Sequence, residues 1–141
     1  MAQSITLQTS DSDVVSDDVL GRVSFAASSE SSGSDAILIG GSIYAAAEST
    51  FTAIANPTSI FFATANSETA TAKLKLTSGG HLYPVTTQVY DVGGSSNQFR
   101  NMYFYNTLYV NGTQIIDRSS QTIGTDGYSL ASGMIIDGGT P

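Results

Sequence analysis

The sequence predicts an all-β protein of short antiparallel strands and hairpins, and three observations lead there. Apolar residues recur in runs of strand length, many of them at alternate positions. Clusters of glycine, proline, asparagine and serine separate the runs at short intervals, which is the punctuation of hairpins. No segment is dominated by a helical pattern. Several runs also carry large apolar groups on both faces, so those strands need cover on both sides.

Taken in order, residues 4–10 alternate Ile5 and Leu7 with Ser4, Thr6 and Gln8, which predicts a short strand with one apolar face. Asp11, Asp13, Asp17 and Asp18 then bracket Val14-Val15. Hard cations want clustered oxygens, so a calcium loop is one reading; with no glycine or distal glutamate at EF-hand spacing, Asx turns around an apolar anchor are the simpler one. Residues 19–27 form the next strand, and Gly21 inside it predicts a bulge or a close backbone approach. Residues 28–35 read as a solvated polar loop.

Residues 36–47 are small and apolar. Ala45-Ala46-Ala47-Glu48 suits a short helix, but Ile37, Ile39, Ile43 and Tyr44 favour a strand. Asn56-Pro57-Thr58 is a turn, because proline fixes its own φ and extends the residue before it. In the strand at 59–65, Ile60, Phe62 and Thr64 share one face and Phe61 takes the other. In the strand at 72–77, Leu74 and Leu76 face in and Lys73 and Lys75 face out, and Ser78-Gly79-Gly80 closes a hairpin.

Gly93-Gly94, where positive φ is expected, delivers the chain into an aromatic stretch with Phe99, Tyr103, Phe104, Tyr105 and Tyr109. The stretch reads as turn, strand, turn, strand, turn. Asn111-Gly112, between Leu108-Tyr109-Val110 and Thr113-Gln114-Ile115-Ile116, is the strongest two-residue hairpin signal in the chain. Residues 128–136 suit a last strand before a flexible tail. The chain accordingly divides into an N-terminal strand or attachment segment (1–17), a β-rich unit (18–82), an aromatic hairpin module (83–117) and a polar tail (118–141).

Composition narrows the function. Charged residues make up 12% of the 141, about half the usual share, and small residues fill the gap. So little bulky apolar material makes a self-sufficient core hard to build, which points to an obligate oligomer that buries surface between chains. A net charge of −7, with Arg22, Lys73, Lys75, Arg100 and Arg118 scattered, argues against nucleic-acid binding. With no cysteine there is no disulfide or thiolate chemistry. No run approaches the length of a membrane span, and the first residues lack the pattern of a secretory signal, so synthesis in a cytoplasm fits.

Two stretches carry a family resemblance. Asp91-Val92-Gly93-Gly94-Ser95-Ser96-Asn97-Gln98-Phe99-Arg100-Asn101-Met102-Tyr103 resembles a module of bacteriophage tail-fibre and related virion-appendage proteins. Upstream, Asp18-Val19-Leu20-Gly21-Arg22-Val23-Ser24-Phe25, Gly41-Ser42-Ile43-Tyr44-Ala45, Asn56-Pro57-Thr58-Ser59-Ile60-Phe61-Phe62-Ala63-Thr64-Ala65 and Lys73-Leu74-Lys75-Leu76 before Gly79-Gly80 follow the family order. The resemblance implies an elongated, intertwined, sandwich- or prism-like trimeric fibre in a virion, with capsid, tail or baseplate proteins as further partners. In such a trimer Phe25, Ile43, Tyr44, Phe61, Phe62, Phe99, Tyr103, Phe104 and Tyr105 would form the interface, with Gly41 and Ala45 near the axis. The chain departs from the family in having no bulky C-terminal tip and no recognisable intramolecular chaperone domain, so receptor binding and self-processing do not carry over.

Catalysis finds little support. His81 is the lone histidine, in a Gly-Gly turn, with Asp91 as its nearest downstream carboxylate, and Glu30, Glu48 and Glu68 sit in or beside small-residue loops. A non-enzyme without cofactor or metal is expected. The alternative function is a carbohydrate-binding module for a host-surface glycan, with Tyr103, Tyr105 and Tyr109 stacking on sugars; interface filling is the simpler role for these rings.

Overall fold

The structure, a computed structural model, describes residues 2–105, 108–110, 113–117 and 122–123. Within them the chain is all-β, every strand pairing is antiparallel, and one short turn of 3-10 helix, Asp35–Ile37, is the exception. The chain forms two compact units, Met1–Val92 and Gly93–Pro141.

The first unit is a five-stranded meander in sequence order: β1 (Val19–Ala26), β2 (Ile39–Ala47), β3 (Thr58–Thr64), β4 (Thr71–Leu76) and β5 (Leu82–Pro84). One of its connections falls where the turn chemistry predicts and one does not: the chain turns at Ala53-Ile54, between Thr52 and Ala55, rather than at Asn56-Pro57-Thr58, where proline keeps the backbone extended. Asn56-Pro57 delivers the chain into β3, and Ser78-Gly79-Gly80 joins β4 to β5 through Gly80 N–H to Thr77 O at 2.9 Å and Thr77 N–H to His81 O at 3.0 Å. The strand reading also holds for Ala45 to Ala47, which close β2 rather than forming a helix. Glu30 organises the polar loop, accepting bonds from Ser31 N–H at 2.9 Å and Ser32 Oγ at 2.6 Å.

Register sorts the side chains into two cross-sheet rows. Val23, Ile43, Phe62, Leu74 and Pro84 stand opposite one another, and one step along Arg22, Tyr44, Phe61, Lys75 and Tyr83 do the same. Successive residues point to opposite faces, so the rows occupy the two sides of the sheet. Of the buried residues, Ser42, Ala46, Ser59 and Ala63 belong to the side of the second row and Ala47, at the end of β2, to the side of the first. The core therefore sits beneath the mixed cationic and aromatic row.

Gly21 fulfils both expectations at once. A register shift between Val19 and Gly21 marks a bulge, and a Cβ at Gly21 would lie 2.7 Å from Leu7 Cβ. The same contact accounts for a correction: residues 4–10 are not a strand. Leu7 finds a notch over Gly21 instead of a ladder partner, and Ile5 is 92% exposed. Downstream, Asp13 N–H donates to Asp11 Oδ1 at 3.0 Å and Val15 N–H to Asp18 Oδ2 at 2.8 Å, the side-chain-closed turns expected around Val14-Val15. Phe51 N–H to Val14 O and Asp17 N–H to Ala47 O then tie this anchor to the sheet.

A second correction concerns β4. The leucines stand on the exposed face and Lys73 and Lys75 are half-buried, the reverse of the expected orientation. The lysine side has the small residues and the rings to lie against, and long lysine stems cover apolar surface readily.

The second unit opens on the predicted turn, with Gly93 at φ 88° and reciprocal backbone bonds between Gly94 and Asn97 at 2.8 and 3.1 Å. Residues 99–104 are not a strand, contrary to the aromatic-strand expectation, and among the described residues no strand pairs with them. β6 (Leu108–Val110), β7 (Thr113–Asp117) and β8 (Thr122–Ile123) form a small sheet, and β6 pairs with β7 across the Asn111-Gly112 position as the hairpin signal requires. The expected strand at 128–136 and the tail lie outside the described residues.

Candidate interaction surface

One side of the five-stranded sheet is a stacked ladder. The Arg22 guanidinium lies 4.0 Å from the Tyr44 ring centroid, and its Nη1 donates to Ser42 Oγ at 3.0 Å. Tyr44 in turn stacks on Phe61, centroids 4.8 Å apart and planes within 7°. Their spacing matches that of adjacent strands, so the rings lie face to face along the row and roof the small residues below. Lys73, at a bulge in β4, reaches Thr71 Oγ1 at 2.9 Å and lies 5.6 Å from the Tyr90 ring.

The other side is plain by comparison. Val23, Phe25, Ile43, Phe62, Leu74 and Leu76 all point there and all are exposed. β1 to β5 contain no carboxylate, and the basic residues they carry belong to the ladder side.

The residues expected to form one interface are thereby separated. Phe25, Ile43 and Phe62 lie on the apolar face, Tyr44 and Phe61 on the ladder face, and Phe99, Tyr103, Phe104 and Tyr105 in the second unit. Tyr103 is 89% exposed and bonded at its hydroxyl by Asn101 Nδ2 at 3.2 Å; Tyr105 and Tyr109 are exposed as well.

Glu48 is the residue that sequence reasoning undervalued. Its carboxylate accepts from Ser59 Oγ at 2.6 Å, Ser78 N–H at 2.8 Å and Ser78 Oγ, so it ties the end of β2 to β3 and to the β4–β5 turn. The Ser59 hydroxyl first, then the Ser78 hydroxyl and N–H, hold its pKa down to about 2. No local spacing could reveal it, because the partners lie 11 and 30 positions away. Beside it is an open cleft of about 260 Å³ lined by Asp17, Glu48, Ser59, Phe61, Lys75 and Thr77.

These polar groups have structural employment. Glu48 is saturated by serines, the His81 ring packs 5.8 Å from Tyr83, and the His81 backbone N–H donates to Thr77 Oγ1. Among the described residues no three His, Cys, Asp or Glu side chains converge as a metal site would need, and no helix is long and apolar enough to cross a membrane.

No family model and no curated protein matches the chain. Solved structures do, among them two of one tail fibre. The carboxy-terminal domain of the bacteriophage T5 L-shaped tail fibre aligns with a TM-score of 0.52 at 17% identity, covering 65% of this chain and 35% of that one. A structure of the same T5 domain with its intra-molecular chaperone domain aligns with a TM-score of 0.52 at 15% identity, covering 84% of this chain and 28% of that one. The likeness is one of fold: this chain is tail-fibre-like in architecture and spans about a third or less of either relative's length.

Proposed function

We propose that this chain is a structural virion protein of a bacteriophage, a small fibre, fibre-attachment or decoration subunit that assembles as a homotrimer. The observation that carries the reading is a tail-fibre-like sheet with a broad apolar face open to solvent. A lone chain leaves that face wet, whereas copies around a threefold axis bury it, and they shield strand edges that would otherwise invite aggregation. Other virion proteins are then its fixed partners, and its place is the particle.

Native mass spectrometry, with thermal unfolding followed at several protein concentrations, tests this. A trimer whose unfolding temperature rises with concentration is the expected result. A monomer that stays folded at micromolar concentration overturns it.

Recognition of a host-surface glycan is the second reading, favoured by the exposure of Tyr103, Tyr105 and Tyr109. It requires saturable binding on a glycan array that Tyr105→Ala abolishes with the fold intact. An array without signal removes it.

A further inference from the structure

We infer that the apolar face of the five-stranded sheet, centred on Ile43 and Phe62, is where a second copy of this chain docks, and that the Arg22–Tyr44–Phe61 ladder faces away from that contact. This rests on the assembling-subunit reading and assigns it a surface.

Extent comes first. Five strands of three to nine residues, spaced about 4.8 Å apart with a rise of about 3.3 Å per residue, give a face with a plan area of roughly 500 Å². Side-chain relief raises the accessible area above that, towards the roughly 800 Å² per partner of a stable interface, and the largest apolar patch on an ordinary monomer is only about 300–600 Å². Ile43 and Phe62, in register on the inner strands β2 and β3, remain 44 and 41% exposed. Central strand positions in a closed fold would be covered.

Charge then selects the occupant. Each copy carries a net charge of −7, so copies repel except where they meet on neutral ground. The apolar face is that ground: its residues are uncharged, β1 to β5 carry no acid, and the lysines and Arg22 project from the other side. A flat surface of one chemistry is complementary to itself, and a copy of the chain is the partner present wherever the chain is made. Leu7, already seated over Gly21 on this side, illustrates that the face accepts an apolar side chain from an extended segment.

The chain lacks cysteine, so a single introduced thiol reports one position. Phe62→Cys and Tyr83→Cys place thiols on opposite faces of the sheet, and maleimide labelling of each, run beside native mass spectrometry of the same sample, distinguishes the outcomes. Expected are an oligomer in both variants, slow labelling at position 62 and fast labelling at 83. An oligomer that labels quickly at 62 overturns this surface and leaves the assembling-subunit reading standing. A folded monomer overturns both. As a second measurement, Phe62→Asp should weaken association at least about thirtyfold, the loss expected of a hot-spot residue, and Tyr83→Asp should not. Equal weakening by the two substitutions, with circular dichroism unchanged, also overturns the assignment.

Discussion

The two faces of the five-stranded sheet solve the same problem in opposite ways. On one, small residues such as Ser42, Ser59 and Ala63 are buried because Arg22, Tyr44, Phe61 and Lys75 lie over them in a row. That side makes its own core from rings, stems and alanines. On the other, large aliphatic and aromatic side chains stand exposed, and among the described residues of the first unit Leu7 is set against one corner. The difference teaches that a chain low in bulky residues can cover one face with its own side chains and leave the other exposed. Charge follows the same division. Cations sit where they cover the chain's own rings, and the face left open is neutral.

Substituting adjacent phenylalanines gives the largest test of that contrast. Phe61→Ala removes the stack on Tyr44 and uncovers Ser59 and Ala63, so it should lower the unfolding free energy of the unassociated chain by about 2–3 kcal/mol in urea titration. Phe62→Ala should cost less than about 1 kcal/mol in the same dilute sample, since its side chain is already exposed. Equal losses would mean that the faces do not differ in this way.

Gly21→Ala comes next. Its new Cβ meets Leu7 Cβ at 2.7 Å, and displacing Leu7 should cost about 1 kcal/mol, the lower end of overpacking losses. Leu7→Ala in the same chain should recover most of that, a coupling readable in a double-mutant cycle. Arg22→Met keeps much of the stem but removes the cation over Tyr44 and the bond to Ser42, and should lose about 0.5–1 kcal/mol in thermal unfolding.

Acid titration of Glu48 gives the smallest and most selective signal. Its pKa falls from the ordinary 4.5 to about 2 in the folded chain, held there chiefly by the Ser59 hydroxyl. A depressed carboxylate stabilises the fold fully above its unfolded pKa, and that contribution is lost as pH falls from 4.5 towards 2. Glu48→Gln should therefore flatten this part of the stability–pH curve in denaturant melts. An unchanged acid limb would show that the serine bonds do not form in solution.

Much of the scaffold is written locally. Ser78-Gly79-Gly80 marks a turn because glycine widens the backbone torsions within a few residues, and β4 and β5 lie on either side of it. Gly21 likewise announced a close approach. Elsewhere local pattern misled. Ile5 and Leu7 alternate like a strand, but a strand exists only with a pairing partner, and residues 99–104 carry aromatic strand formers without one among the described residues.

The candidate surface was harder to read, and β4 shows why. Period-two alternation establishes that Lys73 and Lys75 oppose Leu74 and Leu76, yet it does not say which side the chain covers. By itself, then, the sequence determined the all-β class, the β4–β5 turn and which residues share a strand face, since these depend on torsions and neighbours along the chain. Only the tertiary structure decided that Tyr44 and Phe61 roof one side while Ile43 and Phe62 stand open on the other, and that Glu48 joins Ser59 to Ser78. Cover and long-range hydrogen bonds depend on register between strands many residues apart, and that register exists only once the sheet has formed.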